Sequence, residues 1–294
     1  MPQTFDSVDH LLALDPSGRG IGAFFVPGGA RRAAASLARG RRVLLVTGFA
    51  VGPGLAETDG PPGTTVLGRA LRLLGKRVTY LSDAATLPLL EATLKALGEP
   101  VDVVAFPKGE PPDAAARRLL RELAPTHLVA VERPGRASDG DYRSARGESV
   151  AAWNPPVDAL FVLPRRRITT VGIGDGGNEV GMGNVRARLV RRGPLSRRIA
   201  SVVSVDHLVV AGTSNWGAYG VTAHLALLAR RPLLHTPEEE ARLIAACAEA
   251  GGVDGLTRRR EATVDGLPVE AHAAFVELLR TVIESEASRG GKRT

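Results

Sequence analysis

The run Gly172-Ile-Gly-Asp-Gly-Gly-Asn-Glu-Val-Gly-Met-Gly-Asn-Val185 packs six glycines, two carboxylates (Asp175, Glu179) and two carboxamides (Asn178, Asn184) into fourteen positions. Glycine loses more backbone freedom on folding than any other residue, so this density is costly unless the chain turns tightly or approaches a ligand closely. Gly174, Gly176 and Gly177 are the candidates for such an approach. Asp175 and Glu179 are candidates for a general base or for hard oxygen ligands to a divalent metal. A second cluster, Glu57-Thr-Asp-Gly-Pro-Pro-Gly63, places Glu57 and Asp59 two apart, where they converge on a ligand or metal or where Asp59 makes only an Asx-turn. A third, Glu132 to Arg136 with Asp139 to Gly147, carries arginines at 133, 136, 143 and 146 beside carboxylates. Guanidinium grips carboxylates bidentately, which suits an acidic substrate; a solvated ion-pair loop is the alternative. The fourth, Asp206-His207 with Thr213 to Gly220, offers Asn215, and Trp216 and Tyr219 suit either a pocket wall or the core.

Each cluster follows an apolar run that reads as a strand. Such runs lie at 42–47, 77–81, 101–106, 127–131, 159–163, 168–173 and 199–205, and helical spacing occupies 64–74, 87–97, 112–123, 218–229, 237–250 and 269–285. Strands alternating with helices predict a Rossmann-like α/β fold, a three-layer, mostly parallel sheet flanked by helices. Pro237 after Thr236, with Glu238 to Glu240 behind it, is a clear helix start. One domain over 1–294 is expected, with a frayed polar tail at 288–294. Four polar loops after four strands predict one pocket at the carboxyl edge of the sheet.

The phrase G-x-G-x-x-G at Gly172, Gly174 and Gly177 is a poor dinucleotide fingerprint, because Gly181 and Gly183 oppose an immediate helix and Asp175 and Glu179 repel a pyrophosphate. No Lys follows, so a phosphate loop of the Walker type is excluded. The chain has 294 residues, 44% of them hydrophobic, and a net charge of +7 carried by dispersed arginines with few aromatics, which argues against nucleic acid as a partner. Cys247 stands alone in an Ala-rich helical pattern and reads as a buried hydrophobe. The first residues lack a basic leader and no apolar run approaches membrane-spanning length, so the expectation is a cytoplasmic protein with no membrane contact. A small acidic metabolite is the expected partner, and a homo-oligomer is compatible.

The stretches Glu57 to Gly63, Glu132 to Gly147, Gly172 to Val185 and Asp206 to Gly220 resemble, in order and in wording, the D-glutamate cyclase family, which occurs in animals as the C-terminal part of a mitochondrial protein and in bacteria as stand-alone chains. The resemblance implies a hydro-lyase that dehydrates D-glutamate to 5-oxo-D-proline by intramolecular lactam formation. On that reading Asp175 and Glu179, with Asp59 next, are the catalytic candidates. Arg133, Arg136 and Arg143 would hold carboxylates, and Asn178, Asn184 and Asn215 would orient the substrate. No cofactor is certain; Glu57, Asp59, Asp175 and Glu179 would supply ligands for Mg²⁺ or Mn²⁺. The alternatives are a metal-assisted hydrolase or lyase on another small carboxylate or lactam, and a non-catalytic protein that binds an acidic metabolite.

Overall fold

A computed structural model describes residues 5–163 and 168–290. In chain order the elements are α1 (Ser7–Leu12), α2 (Gly29–Leu37), β1 (Arg42–Thr47), β2 (Ala50–Gly52), β3 (Leu55–Ala56), α3 (Pro61–Leu73), β4 (Arg77–Ser82), α4 (Leu87–Ala96) and β5 (Val103–Ala105). They continue with α5 (Pro112–Leu123), β6 (His127–Val131), α6 (Ala159–Val162), β7 (Thr169–Gly174), α7 (Arg186–Leu189), α8 (Pro194–Ile199) and β8 (His207–Val210). The last five are α9 (Ser214–Ala229), α10 (Pro237–Glu249), β9 (Thr263–Val264), β10 (Leu267–Pro268) and α11 (Val269–Gly290).

Six strands form one parallel sheet in the order β5-β4-β1-β6-β7-β8. The chain builds outward from β1 to β5, then returns to the other side of β1. The strand order therefore reverses between β1 and β6, where open α/β sheets place their ligands. Every residue of β6 and all but the first of β1 are buried, so these strands are continuous apolar runs without alternation, as a sheet covered on both faces requires. The expected three-layer α/β architecture is the one observed.

Helix α9 is buried along almost its whole length and packs against α2, α3 and α11. Helix α10 begins at Pro237 with a reciprocal cap between Thr236 and Glu239, the start that the sequence signals.

Two expected strands are not strands. Residues 159–163 turn into the short helix α6, with Ala159, Leu160 and Phe161 all buried; a short apolar run fits either conformation, and periodicity does not separate them. The run 199–205 leaves α8 at Ile199 and then crosses the glycine loop instead of entering the sheet. Ser201 donates to the Gly177 carbonyl, while Gly181 and Gly183 both donate to that of Val203. The sixth strand is the next segment, β8. Helix α11 continues through Gly290, so the tail expected to fray is helical over 288–290; residues 291–294 lie outside the described residues.

Candidate active site

The loop after β1 delivers Glu57 and Asp59. Asp59 accepts from the Ser214 and Asn215 amides, both at 2.8 Å, and so satisfies two of the unpaired donors at the start of α9. Asn215 answers in the other direction, its Oδ1 accepting from Gly60 at 3.0 Å and Gly63 at 2.8 Å. The starts of α3 and α9 are thus stapled to each other. A Cβ on Gly63 would stand 2.8 Å from the Asn215 Cα, so glycine is required there.

Glu132 follows β6 with φ +44°, a left-handed conformation that costs energy in a non-glycine residue and is held here by its neighbours. Its Oε2 accepts from the Ser214 hydroxyl at 2.5 Å. After β7, Glu179 folds back into its own loop. Its Oε1 accepts from the amides of Asp175 at 3.1 Å and Gly176 at 2.6 Å, and its Oε2 from Gly177 at 2.8 Å. Asp175, by contrast, is fully buried and neither of its oxygens accepts a hydrogen bond.

Two residues from distant segments complete the cluster. Arg19 places Nη1 3.1 Å from Asp175 Oδ1 and pairs through Nη2 with Asp265 in the β9–β10 turn. Six buried carboxylates, Glu57, Asp59, Glu132, Asp175, Glu179 and Asp265, therefore surround one guanidinium. Burial pushes the Asp59 carboxyl up to about 8, with Asp265 adding to it. Glu57, Glu132 and Asp175 are also driven well above the usual carboxylate range, by burial first and by neighbouring acids after it. Burial opposes the charge on Arg19, yet Asp175 and Asp265 outweigh it and hold its pKa high.

Above this floor lies a narrow pocket. Arg19, Glu57, Glu132 and Asn178 face it from below, Phe49, Val51 and Leu256 form apolar wall, and Arg146 and Arg258 stand at the rim. Part of the wall is a lid, the loop between α10 and β9. Asp254 organises it, accepting from the Leu256 and Thr257 amides through Oδ1 and from the Thr263 hydroxyl and Gly266 amide through Oδ2.

Glu57, Asp59, Asp175, Glu179, Asn178 and Asn215 come together at this site. The other sequence candidates hold loops. Arg133 is fully buried, donating to the carbonyls of Gly48 and Pro155 and pairing with Asp83. Arg136 grips Asp158 with two bonds of 2.7 and 3.0 Å, and Tyr142 donates to the same carboxylate. Arg143 pairs with Asp139 and Asp141. Asn184 donates to and accepts from the Val205 backbone. The amides of Gly176 and Gly177 are spent on Glu179, and Gly174 ends β7. Trp216 stacks on Phe275 and Tyr219 donates to Glu240, so both belong to the core.

Arg19, Glu132 and Asp265 escaped sequence reasoning. Asp265-Gly266 carried a usable signal: two residues with positive φ between short strands form the turn of a tight hairpin.

Two sets of three carboxylates have ligand atoms within 4.8 Å of one another, Asp59 with Asp175 and Asp265, and Glu132 with Asp175 and Glu179. Asp175 belongs to both, and its oxygens and Asp265 Oδ2 accept no hydrogen bond. An all-oxygen donor set with unspent lone pairs fits a hard divalent cation.

A Rossmann-like sheet with a buried acidic pocket at its switch point defines an α/β protein with a built ligand site. A sequence profile described as "D-glutamate cyclase-like, C-terminal" matches residues 8–280, and the chain belongs to that family. Human mitochondrial D-glutamate cyclase is 34% identical over 245 residues, covering 77% of this chain and 39% of that protein. The chain thus spans about two fifths of the length of this relative. Among solved structures, an exopolyphosphatase-related protein from Bacteroides fragilis superposes with a TM-score of 0.43 at 9% identity, covering 91% of this chain and 61% of the other. RecJ from Thermus thermophilus, in complex with Mn²⁺, gives 0.39 at 14%, covering 97% and 39%. Neither likeness is close enough to bear on function. No helix among the described residues is long and apolar enough to cross a membrane.

Proposed function

We propose that this chain is a hydro-lyase that converts D-glutamate to 5-oxo-D-proline and water. The observation that supports it is the pair of acids that line the pocket, Glu57 and Glu132, both with raised pKa values, beside the fully buried Asp175, whose oxygens accept no hydrogen bond. Membership of a D-glutamate cyclase-like family supports D-glutamate as the substrate.

Lactam formation moves two protons from the substrate nitrogen to one side-chain carboxylate oxygen, while a C–N bond forms and a C–O bond breaks. Glu57 and Glu132 face the pocket with raised pKa values, so each can take a proton from the ammonium and return it to the departing oxygen near neutral pH. Ser214 fixes the orientation of Glu132. Glu179 is a positioning residue that holds the loop bearing Asp175. The narrow pocket folds the substrate so that amine and carboxyl meet, which supplies much of the barrier reduction. Asp59, Asp175 and Asp265 would hold Mg²⁺ or Mn²⁺, which would supply Lewis-acid polarisation to the reacting carboxylate.

The test is incubation of the purified protein with D- or L-glutamate, with Mn²⁺ or with EDTA, and chiral chromatography of 5-oxoproline. D-selective product above background is expected, lost in EDTA and restored by Mn²⁺. No product from either enantiomer under any condition would overturn the assigned reaction.

A further inference from the structure

The proposed reaction consumes the amino group and one carboxylate and leaves the α-carboxylate untouched, and the role of the pocket rim rests on that reading. The floor offers the spared anion no open cation, because Arg19 there is already paired with Asp175 and Asp265 and the acids Glu57 and Glu132 line the rest. The rim is opposite in sign. Arg146 reaches it from the loop after β6 and Arg258 from the lid, two unrelated segments converging on one opening.

The two guanidiniums are differently engaged. Arg146 donates Nη2 to the Leu256 carbonyl at 2.7 Å, a neutral acceptor on the lid. Arg258 pairs with Glu148, whose side chain is 51% exposed. That bond holds Glu148 below the usual carboxylate range. Arg258 has φ +59°, and its amide donates to the Asp254 carbonyl at 2.8 Å, so the lid's organising residue sets its placement.

We infer that Arg146 and Arg258 form a carboxylate clamp at the pocket mouth that holds the non-reacting α-carboxylate, and that Glu148 is the internal carboxylate which occupies Arg258 until the ligand arrives. A ligand lying across the pocket then meets Glu57 and Glu132 below, with Arg19 there engaged by two other acids, and two guanidiniums above. The lactam product keeps the same carboxylate, so the clamp holds product as well as substrate. A neutral lactam does not engage it.

The test is isothermal titration of the full chain in Mn²⁺ with glutarate, 5-oxo-D-proline and 2-pyrrolidinone. Wild type is expected to bind the two carboxylates about 10- to 100-fold more tightly than 2-pyrrolidinone, the range of a charge-assisted contact. Arg146→Gln and Arg258→Gln should each weaken glutarate and 5-oxo-D-proline by a similar factor and leave 2-pyrrolidinone unchanged. Arg146→Lys, which keeps the charge without the fork, should fall between, an ordering that a general folding defect would not produce. Glu148→Gln should tighten both carboxylates by removing their competitor. Carboxylate binding without any turnover of glutamate would defeat the assigned reaction and leave the clamp standing. Wild-type affinity for glutarate in both arginine variants, or no carboxylate binding by wild type, would overturn the clamp; unchanged affinity in Glu148→Gln would overturn the competitor.

Discussion

Arg19 is the cation that lets the acidic floor exist without a metal. Breaking a buried ion pair costs about 3–5 kcal/mol, because the partner is left charged and uncompensated. Arg19→Gln is therefore expected to destabilise the metal-free protein by that order at pH 8, measured by urea unfolding in EDTA, and Mn²⁺ should recover part of the loss. A loss unaffected by Mn²⁺ would show that the carboxylates do not gather a cation. Asp175 differs. Its oxygens accept no hydrogen bond and Arg19 keeps Asp265 as a partner, so Asp175→Asn removes a buried acid at the cost of one Arg19 contact. Turnover should fall by at least about 100-fold, the scale of losing a catalytic acid–base or ligand group. The unfolding midpoint in EDTA should fall less than in Arg19→Gln, which loses both acidic partners. A fall as large as that of Arg19→Gln would make Asp175 structural.

At the scale of elements, the junction of α3 and α9 is what aims Asp59. Asn215→Ala leaves the buried Gly63 amide without a partner and removes one of the two acceptors of the Gly60 amide, which keeps Asp59 Oδ1. The expected cost is about 2–3 kcal/mol in urea unfolding, with a fall in kcat because Asp59 shares the turn. An unchanged kcat at lowered stability would separate the staple from the chemistry. That these two clusters share one edge of the sheet was legible in the sequence, since both follow strand-like runs; that Asn215 staples two helix starts and does not face a substrate was not. The sheet was legible for the same reason, β1 and β6 being almost wholly apolar and β4 and β7 rich in β-branched and apolar residues. What could not be read was how long polar side chains are spent. Arg133, Arg136 and Arg143 have the composition of a binding loop, but their partners, Asp83, Asp158 and Asp139 with Asp141, are known only once the chain has folded. Arg19 and Asp265 were hidden for the converse reason. Each lies in an ordinary turn, and only tertiary structure brings the two together.

For the molecule as a whole, the carboxylate cluster links stability to pH. The Asp59 carboxyl titrates at about 8 in the fold against 3.8 ordinarily, so its contribution is fully present below 3.8 and is lost as pH rises through about 8. Glu57, Glu132 and Asp175 act in the same direction. His127, His207 and His224 are lowered by burial from 6.5 and cost stability only below that value, so they drop out above it. Between pH 6.5 and 8.5 the metal-free melting temperature should therefore fall, less so in Asp59→Asn and least with Mn²⁺ present, read by calorimetry in EDTA or MnCl₂. A flat metal-free profile would mean that these acids are already ionised in the fold. The pairing of Arg19 with Asp265 spans 246 residues of chain. Joining such distant points costs more loop entropy than any local turn, so this contact is expected to form after the sheet that carries its partners. The pocket is thus a clasp between the two flanks of the sequence, the last part of the fold to close on this expectation.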